Sequence, residues 1–339
     1  METIRIFQLK HLEETAACLP EGAALYLVYD RNAGYAADKL NSILPVRSSK
    51  PITATEAAKT MDTVLEICSW LLEEGAGRDA VLLALGGGIT TDIAGFAASI
   101  FKRGIRYVNI PTTLLSQVDA GIGGKTGVNF GQYKNMLGAI VQPLCTCIWP
   151  GFLETLPEKE FRSGAAELLK TFLLRNEGGE YEIAVSRLSK GLPLGELPGK
   201  AAEIKARIVE EDPYEHGVRT ILNLGHTFAH ALEHEAAVRG DGLSHGEAVA
   251  IGIILAATLG DRMGVSREPL EERLKADFRA AGLPVECPYP PESLAPAMAK
   301  DKKAAGEKVR FVLLEGIGKP VIREMAVSEA IDILKGGSI

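Results

Sequence analysis

The stretch Ala80-Val-Leu-Leu-Ala-Leu-Gly86-Gly87-Gly88-Ile-Thr-Thr-Asp92-Ile-Ala-Gly95-Phe96 reads as a β-strand, a glycine turn and the opening of a helix. Glycines there let the backbone approach a pyrophosphate, and the amides of a helix N-terminus favour an anion. The run is not the GxGxxG fingerprint, and taken alone it is equally a tight βα turn. A second segment, Asn109-Ile-Pro111-Thr112-Thr113-Leu114, again ends a strand in a turn, this time with two hydroxyls. In a parallel sheet both turns emerge on one edge, the position of a dinucleotide site.

The same alternation extends outward. Apolar, β-prone runs at residues 25–29, 80–85, 107–110 and 145–149 are separated by helix-like stretches at 55–74 and 91–102. Strands alternating with helices imply βαβ units and a mostly parallel sheet. From Leu156 onward the pattern turns helical, at 158–175, 201–211, 227–238, 246–263 and 269–281, with one extended piece at 309–314. This places an α/β domain at 1–150 and a helical domain at 151–339. Residues 191–199, with two prolines and three glycines, read as a surface loop.

Composition narrows the function classes. The 339 residues are long enough for about two domains, and 46% hydrophobic with 24% charged residues is ordinary for a globular protein. A net charge of −7 argues against nucleic-acid or anionic-membrane partners. The five cysteines are scattered. Cys145-Thr-Cys147 lacks the two-residue spacer of a redox or zinc pair and lies in an apolar run, so buried free thiols are expected. The start Met1-Glu2-Thr3-Ile4-Arg5 has no signal-peptide pattern. The apolar stretch from Ala248 to Gly260 is shorter than the roughly 20 residues that span a bilayer, and reads as a buried helix. The expected compartment is the cytoplasm.

Two further segments carry chemistry. Val118-Asp119-Ala-Gly-Ile-Gly123-Gly124-Lys125-Thr126, followed by Asn129, Lys134 and Asn135, contains Gly-Gly-Lys-Thr but lacks the upstream glycine and strand of a P-loop, so a P-loop ATPase is rejected. What remains is a glycine-rich loop with two lysines and an amide, suited to a multiply charged anion. Apolar Val118, Ile122, Val128 and Met136 flank its charges. The second segment holds four of the six histidines, from His226 to His245. His226, His230 and His234 sit at i, i+4 and i+8, on one face if helical, with Arg219 and Asn223 upstream. Imidazole is the commonest zinc ligand, and spacing alone selects His226 and His230 as a metal pair; a polar helix face is the plain alternative.

The run from Gly86 to Pro143, then Leu156-Pro157, Glu160-Phe161-Arg162-Ser163-Gly164, Ala166-Glu167 and Lys170, then Arg219, Asn223-Leu-Gly-His226-Thr-Phe, His230 and His245-Gly-Glu, resembles the 3-dehydroquinate synthases of the shikimate pathway. The resemblance covers nearly the whole chain. It implies an N-terminal Rossmann-like domain, a C-terminal helical domain with the active site in the cleft between them, bound NAD, one divalent metal (zinc, with cobalt as the alternative) and a homodimer. Carried over by position, it puts the metal ligands on Glu167, His226 and His245, which replaces the pair chosen by spacing. His230, Asn223 and Arg219 match residues near the substrate phosphate. Lys125, Asn135 and Lys170 match substrate-anion contacts, and Asp119 and Lys205 match residues near the cyclising carbons and the metal. Arg103 resembles the arginine that crosses the dimer interface, Glu215 another active-site acid, and Lys302 falls in the C-terminal lysine motif Asp301-Lys302-Lys303. For NAD the matches are Gly88, Ile89, Thr90, Thr91, Asp92, Thr112, Thr113, Lys134, Phe152, Leu153, Glu154 and Thr155, with Lys125 shared and Asp30 and Asn32 near the adenosine ribose.

Two positions depart from the family pattern. Ala54-Thr55-Glu56-Ala-Ala-Lys59 stands where the family has Asp-Gly-Glu-x-x-Lys, keeping Glu56 and Lys59, and Phe130 follows Asn129 where a histidine is common. The implied substrate is a phosphorylated sugar acid, 3-deoxy-D-arabino-heptulosonate 7-phosphate, converted to 3-dehydroquinate and phosphate, with NAD reduced and reoxidised in one turnover. Another sugar-phosphate cyclase and a metal-dependent polyol dehydrogenase are the competing readings. The dense lysine and arginine set suits a phosphorylated carboxylate better than a neutral polyol.

Overall fold

The computed structural model describes residues 3–131, 133–300 and 308–336. Contacts divide them into two compact units, Met1–Phe161 with Pro198–Pro213, and Arg162–Leu197 with Tyr214–Ile339.

In the first unit the strands are β1 (Ile6–Gln8), β2 (Leu25–Asp30), β3 (Val46–Ile52), β4 (Val81–Gly86), β5 (Arg106–Pro111), β6 (Lys125–Phe130), β7 (Tyr133–Ile140) and β8 (Thr146–Ile148). Its helices are α1 (Gly34–Ile43), α2 (Met61–Glu73) and α3 (Gly88–Ile100). Six strands form a parallel sheet in the order β1-β8-β5-β4-β2-β3. The run at 80–85 is apolar throughout because its strand is covered on both faces. Tyr26, Val28, Leu82 and Ala84 face Val64, Ile67 and Leu71 of α2 and Ile93, Ala94 and Ala97 of α3. Leu25, Leu27, Val81, Leu83 and Leu85 face the other way, toward Ala36, Ala37 and Leu40 of α1. Each fully buried Leu, Ile or Val contributes about 1.5–3 kcal/mol, so these two layers are the unit's main support.

In the second unit, α4 (Glu158–Leu174, whose first residues belong to the first unit) leads to α5 (Glu180–Ser189). The chain then returns to the first unit as α6 (Leu197–Glu211), where Ala202 and Ala206 pack on Ile122 and on Ile148 of β8. That apolar face explains why the chain divides differently from a single boundary at 150. The loop expected at 191–199 gives way to helix at Leu197, with Pro198 in the first turn where its missing N–H costs nothing. The remainder comprises α7 (His226–Arg239), α8 (His245–Arg262), α9 (Glu271–Ala280), α10 (Pro291–Lys300), β9 (Lys308–Gly316), β10 (Lys319–Ala326) and α11 (Val327–Leu334).

Three details differ from the sequence reading. The glycine-rich segment expected as a loop is the antiparallel hairpin β6–β7, closed where Gly127 and Gly138 pair. A side chain on either glycine would meet the opposite backbone within 2.5 Å. Val118, Ile122 and Val128 are buried, but Met136 on β7 is 58% exposed and shields nothing. The extended piece at 309–314 lies within β9, which pairs with β10 and adds a hairpin to an otherwise helical unit. The apolar stretch in α8 is a buried helix as expected, and among the described residues no helix is long and apolar enough to cross a membrane.

Helices α7 and α8 approach through glycines. Gly225 precedes α7 at φ +78°, a conformation costly for other residues, and Gly252 of α8 lies against it. A Cβ on Gly252 would come 2.2 Å from the Gly225 carbonyl oxygen. Gly252→Ala is therefore expected to destabilise the protein by about 1–3 kcal/mol, the range for overpacking. A lowered melting temperature in a thermal scan is the expected readout, and an unchanged one would contradict the close approach.

Candidate functional site

Glu167 lies on α4 with no exposed surface, and Lys170 follows it by one helical turn with its Nζ 2.5 Å from Glu167 Oε2. Four residues before Glu167 on the same face, Ser163 meets Gly246 of α8. The Gly246 amide donates to Ser163 Oγ at 3.1 Å, and a Cβ on Gly246 would sit 2.2 Å from the Ser163 Cα. The sequence Ser244-His-Gly-Glu247 starts α8 with a capping box, in which the Ser244 amide donates to Glu247 Oε2 at 2.8 Å. The box fixes His245 as the first helical residue, and the missing side chain at position 246 brings it against α4. His245 Nε2 thus lies 3.2 Å from Glu167 Oε1, and His226 Nε2, from the first turn of α7, lies 3.4 Å from the same atom.

Among the described residues these three form the one cluster of metal-ligating side chains, their ligand atoms all within 4.8 Å of one another. The outer nitrogens show how the cluster is held. His226 Nδ1 is 3.2 Å from the Leu224 carbonyl oxygen, and His245 Nδ1 is 3.3 Å from Glu233 Oε1. An Nδ1–H donating outward turns the Nε2 lone pair toward Glu167, the arrangement that orients histidines at metal centres. Burial, then the nearby Lys170 ammonium, lowers the His226 pKa and keeps its ring neutral. Burial would raise the Glu167 carboxyl, but Lys170 and His226 outweigh it and hold it well below the usual carboxylate range. Burial works against a charged His245, yet Glu167 and Glu233 push it up to about 10. A divalent ion would take the place of that proton between the same groups. Two imidazoles and one carboxylate are the donor set of a catalytic zinc site, so the residues fit the metal.

His230 lies one turn beyond His226, the two rings T-shaped with centroids 5.8 Å apart, and it is outside the cluster. The cluster therefore holds His226 but not His230 of the i, i+4 pair that spacing selects. Asn223 and buried Arg219 sit in the 3-10 segment Val218–Asn223, and Asn223 Nδ2 donates to Glu215 Oε1 at 3.0 Å. Glu215 itself is held at φ +60°, an uncommon conformation for a residue with a side chain. Glu233 escaped the sequence reading. Its signal was there: it follows His226 by seven residues, two turns along one helix face.

The first unit gathers the other candidates. In its sheet the strand order reverses between β2 and β4, the topological switch point at whose carboxyl ends sheets of this kind take nucleotides. Asp30 ends β2, where its carboxylate accepts from the Asn32 amide at 3.0 Å. Gly86 ends β4, and α3 begins at Gly88, so the amides of Gly88, Ile89 and Thr90 open the helix without intrahelical acceptors. A Cβ on Gly86 would come 2.4 Å from Thr90 Oγ1, a buried hydroxyl with no hydrogen-bond partner, and one on Gly87 3.2 Å from Thr113. The Thr112 amide ties the next turn back to the Gly86 carbonyl at 2.9 Å. A bare backbone, an unpaired hydroxyl and a helix N-terminus fit a pyrophosphate. Thr91 and Asp92 follow on α3.

Lys59, 4% exposed, donates to Asp92 Oδ2 at 2.6 Å and to Asn135 Oδ1 at 2.5 Å. Asn129 accepts from the Asn135 amide at 2.9 Å and donates to Glu56 Oε1 at 2.8 Å. The altered 54–59 turn is thereby joined to α3 and to the β6–β7 hairpin. Burial raises the Asp92 carboxyl to about 6 despite the Lys59 ammonium. Lys205 of α6 donates to both the carbonyl and the carboxylate of Asp119, each at 2.7 Å. Lys125 and Lys134 are exposed at the starts of β6 and β7. Phe152, Leu153, Glu154 and Thr155 lie in the 3-10 turn Pro150–Thr155, where Phe152 packs edge-on against Trp149. Arg103 is exposed at φ +67°. Lys302 and its neighbours lie outside the described residues.

Comparison with known proteins decides the family. The 3-dehydroquinate synthase N-terminal domain matches residues 50–163, and the 3-dehydroquinate synthase C-terminal domain matches 164–304. The chain belongs to the 3-dehydroquinate synthase family. The 3-dehydroquinate synthase of Acidithiobacillus ferrooxidans is 43% identical over 309 residues, covering 88% of this chain and 82% of that protein. Among solved structures, the 2-epi-5-epi-valiolone synthase of Streptomyces hygroscopicus subsp. jinggangensis, with NAD+ and Zn2+ bound, is 31% identical at a TM-score of 0.86, covering 99% of this chain and 98% of that one. A 2-deoxy-scyllo-inosose synthase complexed with carbaglucose-6-phosphate, NAD+ and Co2+ shares the fold, with a TM-score of 0.82 at 24% identity and coverage of 98% of this chain and 96% of that one.

If Glu233 orients His245, Glu233→Gln should weaken divalent-ion binding about 10–100-fold, the usual cost of losing such a partner. His230→Ala should leave the affinity unchanged. Chelator competition with zinc measures both, and a metal-free His230→Ala protein would overturn the ligand set.

Proposed function

We propose that this chain is a 3-dehydroquinate synthase, a carbon–oxygen lyase that turns 3-deoxy-D-arabino-heptulosonate 7-phosphate into 3-dehydroquinate and phosphate. The observation that carries the reading is the buried Glu167 carboxylate facing two imidazoles whose outer nitrogens are already engaged. Relatives at 43% identity bearing that name support the choice among cyclases.

In this reading Glu167, His226 and His245 hold the divalent metal, and the Gly86–Asp92 turn holds NAD with Thr112, Thr113, Lys134 and the 152–155 turn. Bound there, the metal would ease loss of a proton from the alcohol being oxidised, and NAD would take and return the hydride. The side chains do the rest. Lys125, Asn135 and Lys170 bind substrate anions, and Arg219, Asn223 and His230 bind the phosphate that leaves. Charge that migrates during elimination is stabilised by cations held in place beforehand, which is the main lever an enzyme has in such a step. Lys205 is fixed by its two bonds to Asp119, so its ammonium is positioned before substrate arrives. Glu215 keeps the Asn223 amide oriented.

The second reading, a cyclase acting on a sugar phosphate without a carboxylate, is favoured by the overlay with the valiolone synthase. The two differ in a direct assay. A dehydroquinate synthase should release phosphate and dehydroquinate in equal amounts from the heptulosonate phosphate, with no accumulating NADH absorbance. The other cyclase should ignore that acid, and a polyol dehydrogenase should build up NADH without releasing phosphate. Lys170→Met should cost about 2–3 kcal/mol of transition-state stabilisation, the range for a lost charge-assisted contact. Normal turnover in that variant would remove Lys170 from the mechanism.

The reading includes a cytoplasmic homodimer. The five cysteines are all free, which suits a reducing compartment. Arg103 stands at the end of a backbone turn in which Lys102 and Arg103 both have positive φ, a strained display that suits a residue reaching into a partner's site. Mixing Arg103→Ala with Lys170→Met protein, each impaired alone, should raise activity above that of either, because one site of the mixed dimer then has both residues intact. No recovery after subunit exchange would place Arg103 in its own chain's site.

A further inference from the structure

We propose that Asn109 and Thr146 are positioning residues for Lys205, acting through the carbonyl of Gly121. The role rests on the dehydroquinate synthase reading above, in which Lys205 and Asp119 lie near the reacting carbons. Asn109 stands out from its strand. Its neighbours in β5, Val108 and Ile110, are buried apolar residues, as a doubly covered strand requires. An amide there, 5% exposed, costs free energy unless it is hydrogen-bonded. Its Oδ1 has no partner among the described residues, so the reason to keep the amide lies with Nδ2.

Asn109 Nδ2 donates to the Gly121 carbonyl at 3.0 Å. Thr146, paired with Asn109 across β5 and β8, donates its hydroxyl to the same oxygen at 3.2 Å. Two side-chain donors on one buried carbonyl fix the plane of the peptide between Gly121 and Ile122. The amide of that same peptide, on Ile122, donates to the Asp119 carbonyl at 3.0 Å. Lys205 Nζ lands on that carbonyl too, at 2.7 Å, and makes its second bond to Asp119 Oδ1. One rigid peptide thus joins Asn109 and Thr146 to the atom that holds the lysine.

The backbone between them has an unusual shape. Residues Ser116–Ala120 form a wide π-type turn, closed by the Gly121 amide on the Ser116 carbonyl at 2.9 Å. Such turns are rare and occur mostly at functional sites. At its entry, buried Gln117 donates to the carbonyls of Pro111 and Trp149, at 3.2 and 3.1 Å, which anchors the turn to the sheet. Asn109 and Thr146 anchor its exit. Helix α6 lies over Ile122 and Ile148 through Ala202 and Ala206, and Lys205 shares that helix face. The helix brings the ammonium, and the two strand residues set what it meets.

The test is competitive lysine labelling of the full-length protein with limiting acetic anhydride, read by peptide mass spectrometry without substrate. Asn109→Leu keeps the bulk and removes one donor, while Thr146 still satisfies the Gly121 carbonyl. Thr146→Val does the converse. Either variant should label Lys205 about 3–10-fold faster than wild type, relative to exposed Lys159, the factor expected for one lost hydrogen bond. Labelling of Lys59, another buried lysine of the first unit, should not change, whereas general loosening would raise both. Thr15→Val, which removes a buried hydroxyl elsewhere in that unit, should leave Lys205 as it is. Phosphate release from the heptulosonate phosphate is the second readout. Asn109→Leu should lower kcat about 3–10-fold in the wild-type background and add nothing to the residual activity of Lys205→Met, because both act through one group. Unchanged Lys205 labelling in both variants, a parallel rise at Lys59, or an equal loss of kcat in the Lys205→Met background would each overturn the role. If the wild-type protein releases no phosphate, the dehydroquinate synthase reading fails, while the labelling still decides the tie between Asn109 and Lys205.

Discussion

A carboxylate taken out of water has to be answered by positive charge or hydrogen bonds, because the desolvation penalty even after relaxation is several kcal/mol. Glu167 has no exposed surface, and its two oxygens are met by the Lys170 ammonium on one side and two imidazoles on the other. The elements of the second unit are arranged to deliver these partners. Helix α4 supplies the carboxylate and the ammonium one turn apart, the capping box and Gly246 deliver His245 to α4, and Gly225 and Gly252 allow α7 to approach α8 with His226 at its head. An apolar residue in place of Glu167 would often be as stable or more so, so a charge kept there at such cost points to a task other than stability.

The first unit faces a different constraint. Its sheet must be covered on both faces, and that requirement leaves the carboxyl ends of β2, β4 and β5 as the open edge. At that edge the glycines at 86–88 and the amides opening α3 offer bare backbone to an anion. The neighbouring charges are fixed by one another. Lys59 is held between Asp92 and Asn135, and Asn129 links both to Glu56. Loss of the usual Asp-Gly at 54–55 thus leaves the Glu56 and Lys59 anchors of that turn in place.

Much of this was legible in the sequence where local pattern and burial agree. The apolar runs at 25–29, 80–85 and 107–110 are strands because a doubly covered sheet demands continuous hydrophobicity. The β6–β7 hairpin was not legible, since only a few short apolar residues, Val128, Leu137 and Ala139, turn to the core and Gly127 and Gly138 hide the pairing. Helix α6 was read correctly as a helix, but not its return to the first unit, which depends on two alanines meeting β8. The metal cluster illustrates the limit most clearly. Periodicity ranks His226 with His230, because it sees one helix at a time. Glu167 and His245 come from two other helices, and only their packing, or family resemblance, brings them to His226.

The overlay with other cyclases shows why fold alone leaves the reaction open. In this chain a glycine turn stands at a sheet edge and a carboxylate among histidines, and parts of that kind serve hydride transfer in general. Lys170, Arg219 and Lys205 are all buried. Burying a cation is costly without an anion to meet it, and Glu167 answers Lys170 as Asp119 answers Lys205, each within its own unit.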